Sequence, residues 1–270
     1  MDSNSPIGVF DSGLGGLTVL KALRRLLPNE NFIFVGDCAR APYGGRTPEE
    51  ITLFLKQFME YFAQRDVKMA VCACNTMTSY GYPLVKDTTP FTLVPMNPSI
   101  VPAVRAAANK HIGVIATAAT INKGLHRNTA AAIDKNIKVY GMPCPKFVPL
   151  IERGCIEGPE IEAAVKYYAK KFEDADIHAL ILGCTHYPII RKVLAKYFGT
   201  DVALIDPAFE TAKNAVDILR QKNLLNTQNH QGSLEICFSA QQKNTAEMAK
   251  LILGSDIPPI TGVDLTIFAK

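Results

Sequence analysis

The stretch Met69-Ala-Val-Cys-Ala-Cys-Asn-Thr76 returns about 110 residues later as Ala179-Leu-Ile-Leu-Gly-Cys-Thr-His-Tyr-Pro188. Each is a short apolar run, a small residue, a cysteine, then small polar residues. A thiolate is a nucleophile and a base, and a helix N-terminus lowers a thiol's pKa from about 8.5. Cys74 and Cys184 each stand at a predicted strand end before a predicted helix start, which makes them candidate general bases. Such a base contributes typically about 10²–10⁴-fold to rate. Two thiols presented by two similar substructures point to a reaction with two equivalent catalytic groups. Most cysteines are buried small hydrophobes, and Cys72, Cys144, Cys155 and Cys237 are read that way.

Other groups compete for a role. Asp11-Ser-Gly-Leu-Gly-Gly16, with Asp37 ending the second predicted strand, invites a dinucleotide reading. The fingerprint fails at its third glycine, where Thr18 stands. What remains is a carboxylate, Asp11, beside glycines at a strand end, where backbone amides and Ser12 can bind an anion. Cys72-x-Cys74 with Cys184-x-His186 supplies four soft ligands for a rival metal site. Structural zinc sites favour about two to four residues between paired ligands, and each pair here has one. A thioredoxin-like role needs C-x-x-C, which is absent. His111, His126, His178 and His230 lack a partner pattern, whereas His186, two residues after Cys184, can serve chemistry.

These groups need strands to carry them. A short apolar run bounded by polar and turn residues reads as a buried strand of a parallel sheet. Ligands sit beyond the carboxyl ends of such strands. Ile7–Phe10 and Asn31–Gly36 are predicted strands around a helix from Leu17 to about Leu27. Thr47-Pro48-Glu49-Glu50 starts a helix running to about Arg65, and a strand ending at Cys74 follows. Thr92–Pro95 is a further strand, and Val94-Pro-Met-Asn-Pro98 a crossing point.

A second series opens with a helix, 98–108, and the strand Ile112–Ala116. The loop Thr117–Thr120, a helix to about Ile133 and the strand Lys138–Met142 come next. Helices are expected at Lys146–Arg153 and from Gly158-Pro159, then the Cys184 strand and Val202–Ile205. The return gives a helix, Ala208–Lys222, a polar loop (226–232), a strand at Leu234–Phe238 and a last helix. This alternation is the α/β pattern, repeated as two similar units with the C-terminal part rejoining the first.

Composition sets outer bounds. At 270 residues the chain holds one large or two small domains, and 48% hydrophobic residues suffice for a sizeable core. The net charge is +4, with basic residues scattered and no basic stripe interleaved with aromatics, which argues against nucleic acid. Lys170-Lys171 followed by Glu173, Asp174 and Asp176 reads as a solvated helix end. No signal peptide is visible at the N-terminus, and no apolar run reaches the roughly 18–20 residues of a membrane span. Seven cysteines, an odd count, suit reduced cytosolic thiols.

Together these motifs resemble the glutamate racemases, cofactor-independent enzymes of the aspartate/glutamate racemase family that serve bacterial cell-wall synthesis. The resemblance covers essentially the whole chain. It rests on Asp11–Gly16, Asp37-x-Ala-Arg-x-Pro-Tyr-Gly44, Ala73-Cys-Asn-Thr76 and Leu182-Gly-Cys-Thr-His-Tyr-Pro188, in the family's order. Cys-Thr-His resembles the glutamate branch, since aspartate racemases tend to carry Glu where His186 stands. The resemblance implies two pseudo-symmetric α/β domains, 1–96 plus 207–270 and 97–206, with the substrate between them. It implies that Cys74 and Cys184 are the catalytic thiols, Asp11 assisting the first, Glu152 and His186 the second. By the same likeness Asp11, Ser12, Tyr43, Gly44, Asn75, Thr76, Thr117, Thr120, Thr185 and His186 hold the substrate, and Pro42 lines the same loop.

No cofactor or metal is implied. The expected partner is D- or L-glutamate, with D-glutamate going to peptidoglycan; no nucleic acid or membrane is expected, and the location is cytoplasmic. Family members often dimerise, so a homodimer is an expectation, although no isolated apolar stripe marks its surface. The sequence departs from the family at Met77, where alanine is common, and at Ala116, where glycine is usual. It departs again at Val94–Ser99, which lacks the usual glutamate.

Overall fold

The five-residue segments Ile7–Asp11 and Ala179–Gly183 are buried at every position, the signature of strands covered on both faces. In the computed structural model, which describes residues 2–241 and 243–268, all ladders are parallel. The chain divides into two units, Met1–Asn97 with Ala208–Lys270, and Pro98–Pro207.

The first unit runs β1 (Ile7–Asp11), α1 (Leu17–Leu26), β2 (Phe32–Gly36), α2 (Pro48–Gln64) and β3 (Met69–Cys72). Two short helices, α3 (Asn75–Tyr80) and α4 (Tyr82–Val85), precede β4 (Thr92–Val94). The second unit holds α5 (Ile100–Ala106), β5 (His111–Ala116), α6 (Ala118–Lys123), α7 (Leu125–Ile133), β6 (Lys138–Pro143) and α8 (Phe147–Glu152). It continues through α9 (Pro159–Ala169), β7 (Ala179–Gly183), α10 (Arg191–Phe198) and β8 (Ala203–Ile205). The chain then returns through α11 (Pro207–Gln221), β9 (Leu234–Phe238), α12 (Thr245–Leu253) and β10 (Ile260–Gly262).

The strand orders are β10-β9-β2-β1-β3-β4 and β6-β5-β7-β8. Four strands of the first sheet and all of the second therefore share one order: second, first, third, fourth. The returning β9 pairs with β2 in register from Phe32↔Leu234 to Gly36↔Phe238.

Local chemistry explains the main elements. Thr47 Oγ1 accepts the Glu50 N–H at 3.2 Å and Glu50 Oε2 accepts the Thr47 N–H at 2.9 Å, a capping box with Pro48 in the first turn. The apolar face of α2 packs Phe58 and Phe62 on Phe10, with ring centroids 4.8 and 5.7 Å apart. Full burial of each such ring is worth about 1.5–3 kcal/mol. At the base of the first sheet a buried ion pair joins Lys68 Nζ to Glu30 Oε2 at 2.5 Å. Glu30 Oε1 also accepts the Asn226 N–H at 2.8 Å, fixing the return segment to the strands it rejoins.

Several expectations are corrected. The strand before Cys74 ends at Cys72, leaving Ala73 and Cys74 extended beyond the ladder. The fourth strand stops at Val94, before Pro95, which has no N–H to give. The helix expected over 98–108 is shorter, because Ser99 takes a left-handed conformation (φ 53°) and the helix starts at Ile100. Thr117–Thr120 is not a loop. Thr117 caps α6, its hydroxyl accepting the Thr120 N–H, so the helix begins at Ala118. The solvated helix end expected at 170–176 takes the form of a 3-10 turn, Lys170–Ala175, directly after α9. Strand β10 was not expected, its Ile-Thr-Gly sequence being too short and polar to signal a strand.

Candidate active site

Both thiols follow the third strand of their sheet, at the carboxyl end. Cys74 immediately precedes α3 and is 5% exposed. Its Sγ lies 3.8 Å from Ser12 Oγ. Ser12 follows β1, the neighbour of β3, and its N–H donates to Asp11 Oδ1 at 2.7 Å. Asp11 is 0% exposed. Gly16 allows this turn to close, since a Cβ there would sit 2.5 Å from Asp11 Cβ. Thus Asp11, Ser12 and Cys74 form one cluster.

The helix start was expected to lower the Cys74 pKa; the structure reverses that. Burial pushes the thiol well above its ordinary value, and the Asp11 carboxylate adds to the effect. The Met77 amide and Ser12 hydroxyl pull weakly the other way. In a water-poor pocket beside a carboxylate, a one-turn-plus helix cannot offset the loss of solvation.

Cys184 is built differently. Its Sγ is 3.8 Å from His186 Nδ1, and His186 Nε2 is 2.9 Å from Glu152 Oε1 at the end of α8. Burial opposes the imidazolium, but the bonds to Cys184 and Glu152 outweigh it and hold the His186 pKa well above its usual range. The Cys184 carbonyl accepts the Tyr187 N–H at 3.0 Å, and the Tyr187 hydroxyl donates to Cys144 O at 3.1 Å. Phe147 packs edge-on against Tyr187 at 5.1 Å, so the turn after the thiol is held from behind.

The remaining predicted residues fall into three groups. Asn75 and Thr76 are buried in the first turn of α3, and Asn75 Nδ2 has no hydrogen-bond partner among the described residues. Such a donor is costly unless a ligand accepts from it. The Thr117 hydroxyl donates to Thr120 Oγ1 at 3.0 Å, and Thr185 is buried beside Cys184. Tyr43 is buried with its hydroxyl donating to Asp37 and its carbonyl accepting the Arg46 N–H at 3.1 Å; Gly44 follows it, and Pro42 is exposed beside it.

Asp37 carries more than the sequence reading assigned to it. Its carboxylate accepts from Tyr43, from Arg40 Nε at 2.5 Å and from Ser239 Oγ at 2.6 Å, anchoring the Pro42–Gly44 turn to β2 and β9. Only its place at a strand end hinted at this, because Ser239 is 202 residues away. Among the described residues no group of three or more His, Cys, Asp or Glu could hold a metal ion. None of the described helices is long and apolar enough to cross a membrane.

The profile of Asp/Glu/Hydantoin racemases matches residues 7–215. This chain belongs to that family of racemases. It is 40% identical over 265 residues to the glutamate racemase of Thermoanaerobacter pseudethanolicus, covering 98% of this chain and 99% of the relative. It is 38% identical over 254 residues to that of Aquifex aeolicus, covering 94% and 96%. Among solved structures, the Francisella tularensis glutamate racemase in complex with D-glutamate superposes with a TM-score of 0.90 at 36% identity, covering 98% of this chain and 100% of that one. The RacE1 isoform from Bacillus anthracis gives 0.91 at 31% identity, covering 97% and 98%. As a racemase, the protein is an isomerase that must move a proton between two faces of one carbon.

Proposed function

We infer that this racemase interconverts L- and D-glutamate with Cys74 and Cys184 as its two acid/base groups and no cofactor. The observation that carries the reading is the repeat at the third strand of each sheet. Each thiol follows the equivalent strand, and each has its own polar partner set. Racemisation needs a base on one face of the α-carbon and an acid on the other.

The proton inventory closes with these groups alone. One thiolate takes the α-proton, forming an S–H bond while the C–H electron pair moves into the α-carboxylate. The thiol on the opposite face then gives its proton to the α-carbon and becomes the thiolate. Direction reverses by exchanging the two roles. His186, its pKa raised by its bonds to Cys184 and Glu152, is placed to steady a thiolate at Cys184. Asp11 and Ser12 orient Cys74. The free Asn75 donor and the hydroxyls of Thr76, Thr117, Thr120 and Thr185 suit two carboxylates and the charge that develops on one of them.

Glutamate is favoured over aspartate by His186 after Cys184-Thr185 and by the named relatives. A missing methylene in an apolar pocket is worth only about 1–3 kcal/mol. Stronger rejection must come from misplaced carboxylate contacts. A homodimer and a cytoplasmic site of action feeding peptidoglycan belong to the same reading, supported by the family likeness.

Polarimetric assay in deuterated water tests the mechanism. The product enantiomer should carry deuterium at the α-carbon, while substrate recovered early stays unlabelled. A single-base enzyme would place label in both from the start, and equal turnover of aspartate would show the substrate class to be wrong.

A further inference from the structure

Behind Cys74 lies a polar chain that the reaction itself does not use. The Met96 N–H donates to Thr78 Oγ1 at 3.1 Å. The Thr78 hydroxyl donates to Cys72 Sγ at 3.6 Å, and the Cys72 thiol lies 3.6 Å from Cys74 O. All four residues are buried. The contacts run in one direction. The Met96 amide donates to the Thr78 oxygen, whose own proton is free to go to Cys72. The Cys72 proton is then left for the Cys74 carbonyl, which also accepts the Thr78 N–H at 2.9 Å. Burial pushes the Cys72 thiol up to about 12, so it stays a donor at physiological pH.

The far end of the chain is tied down as well. Met96 and Asn97 close the first stretch of their unit, at the crossing to residue 98. Thr211, on α11 just after the return crossing, accepts the Asn97 N–H at 2.9 Å and donates to Met96 Sδ at 3.7 Å. We propose that Thr78, acting through Cys72, is a positioning residue that ties the placement of Cys74 to the crossing segment at Met96. Only Ala73 and Cys74 lie between strand and helix to set the course of the backbone that carries the thiol. Two donors on its carbonyl fix that peptide plane, and with it the direction of the Cα–Cβ bond. A proton-transfer group misplaced by 1 Å can cost about 100-fold.

This inference rests on the two-thiol reading, so one of its tests is independent of turnover. Thr78→Val keeps the shape and removes the hydroxyl, while Thr78→Ser keeps the hydroxyl. Cys72→Ala cuts the chain from its other end. In Thr78→Val and Cys72→Ala, iodoacetamide should label Cys74 several-fold faster than in the parent, with Cys184 in the same molecule changed less than about twofold. Thr78→Ser should restore the parental rate. Unchanged Cys74 labelling in both variants, or equal acceleration at both cysteines, would overturn the proposal.

The kinetic test is directional. Because enantiomers have equal free energy, kcat/KM must fall equally in both directions, by about tenfold for one lost buried hydrogen bond. The isotope effects need not move together. With α-deuterated substrates the primary effect should rise for the enantiomer that gives its proton to Cys74 and fall for the other. A uniform loss of activity with both effects unchanged would sink the assignment. A parent enzyme inactive on glutamate would fault the functional reading and leave the labelling test standing.

Discussion

The two thiols occupy equivalent places in equivalent sheets, yet their surroundings have opposite electrical character. Cys184 faces His186, whose bonds to Cys184 and Glu152 hold its pKa well above the usual imidazole range and favour a cation beside the sulfur. Cys74 faces a hydroxyl and a carboxylate, and burial with Asp11 holds it as a thiol. A two-base racemase in its resting form needs one thiol and one thiolate. The asymmetry bears on one side of that division, because burial and Asp11 favour the protonated form of Cys74. Strand topology duplicates the geometry, and the side chains around each strand end give each copy its own electrical surroundings.

The largest expected effect comes from removing either sulfur. Cys74→Ala and Cys184→Ala should each lower racemisation by about 10³-fold or more, since inversion needs a group on both faces. Substantial racemisation by either variant, followed by circular dichroism, would break the equivalence on which the comparison stands. A smaller effect, about 10²-fold, is expected from His186→Asn, which removes the cation. Asp11→Asn should lower kcat less and should shift Cys74 alkylation to lower pH. If the two substitutions cost the same and leave alkylation alone, the electrical contrast has no functional weight.

His186 also makes a stability prediction with a definite sign. Its folded pKa is raised, so its contribution is fully present below the unfolded value of about 6.5 and fades as pH climbs through the folded value. Urea unfolding should therefore show His186→Asn more destabilised at pH 6 than at pH 10. The reverse ordering would mean that Glu152 does not hold the imidazolium. The smallest effect is spectroscopic. The thiolate absorbance of Cys74, taken as the difference between parent and Cys74→Ala, should still be growing above pH 9, because the thiol's pKa is raised. A plateau below pH 9 would place an uncompensated cation near Cys74 instead.

Much of this was legible from residues alone. The apolar runs before Cys74 and Cys184 are strands, and Thr47-Pro48-Glu49-Glu50 is the helix start its chemistry requires. The pairing of Cys184 with His186 follows from their separation by one residue. Glu152 came into view only through family likeness, because no local pattern links it to a residue 34 positions away. The same limit hid the Asp37–Ser239 contact and the chain from Met96 to Cys74. The Cys74 pKa was misjudged for a different reason. A helix start can be read from sequence, whereas desolvation depends on every element packed around the sulfur.

The pairing of β9 with β2 bears on how the molecule is made. The second unit is one unbroken length of chain, Pro98–Pro207, and its sheet can close as soon as it leaves the ribosome. The first unit cannot finish in that order. Strand β2 stays an open edge of Phe-Ile-Phe-Val-Gly until Leu234–Phe238 has been synthesised, some 200 residues later. An unpaired apolar edge is a template for aggregation, and long-range parallel pairing is slow to form. At about 5–20 residues per second, that edge waits on the order of ten seconds or more for its partner. A nascent chain stalled before residue 234 should bind holdase chaperones through β2, and one stalled after β10 has emerged should be released.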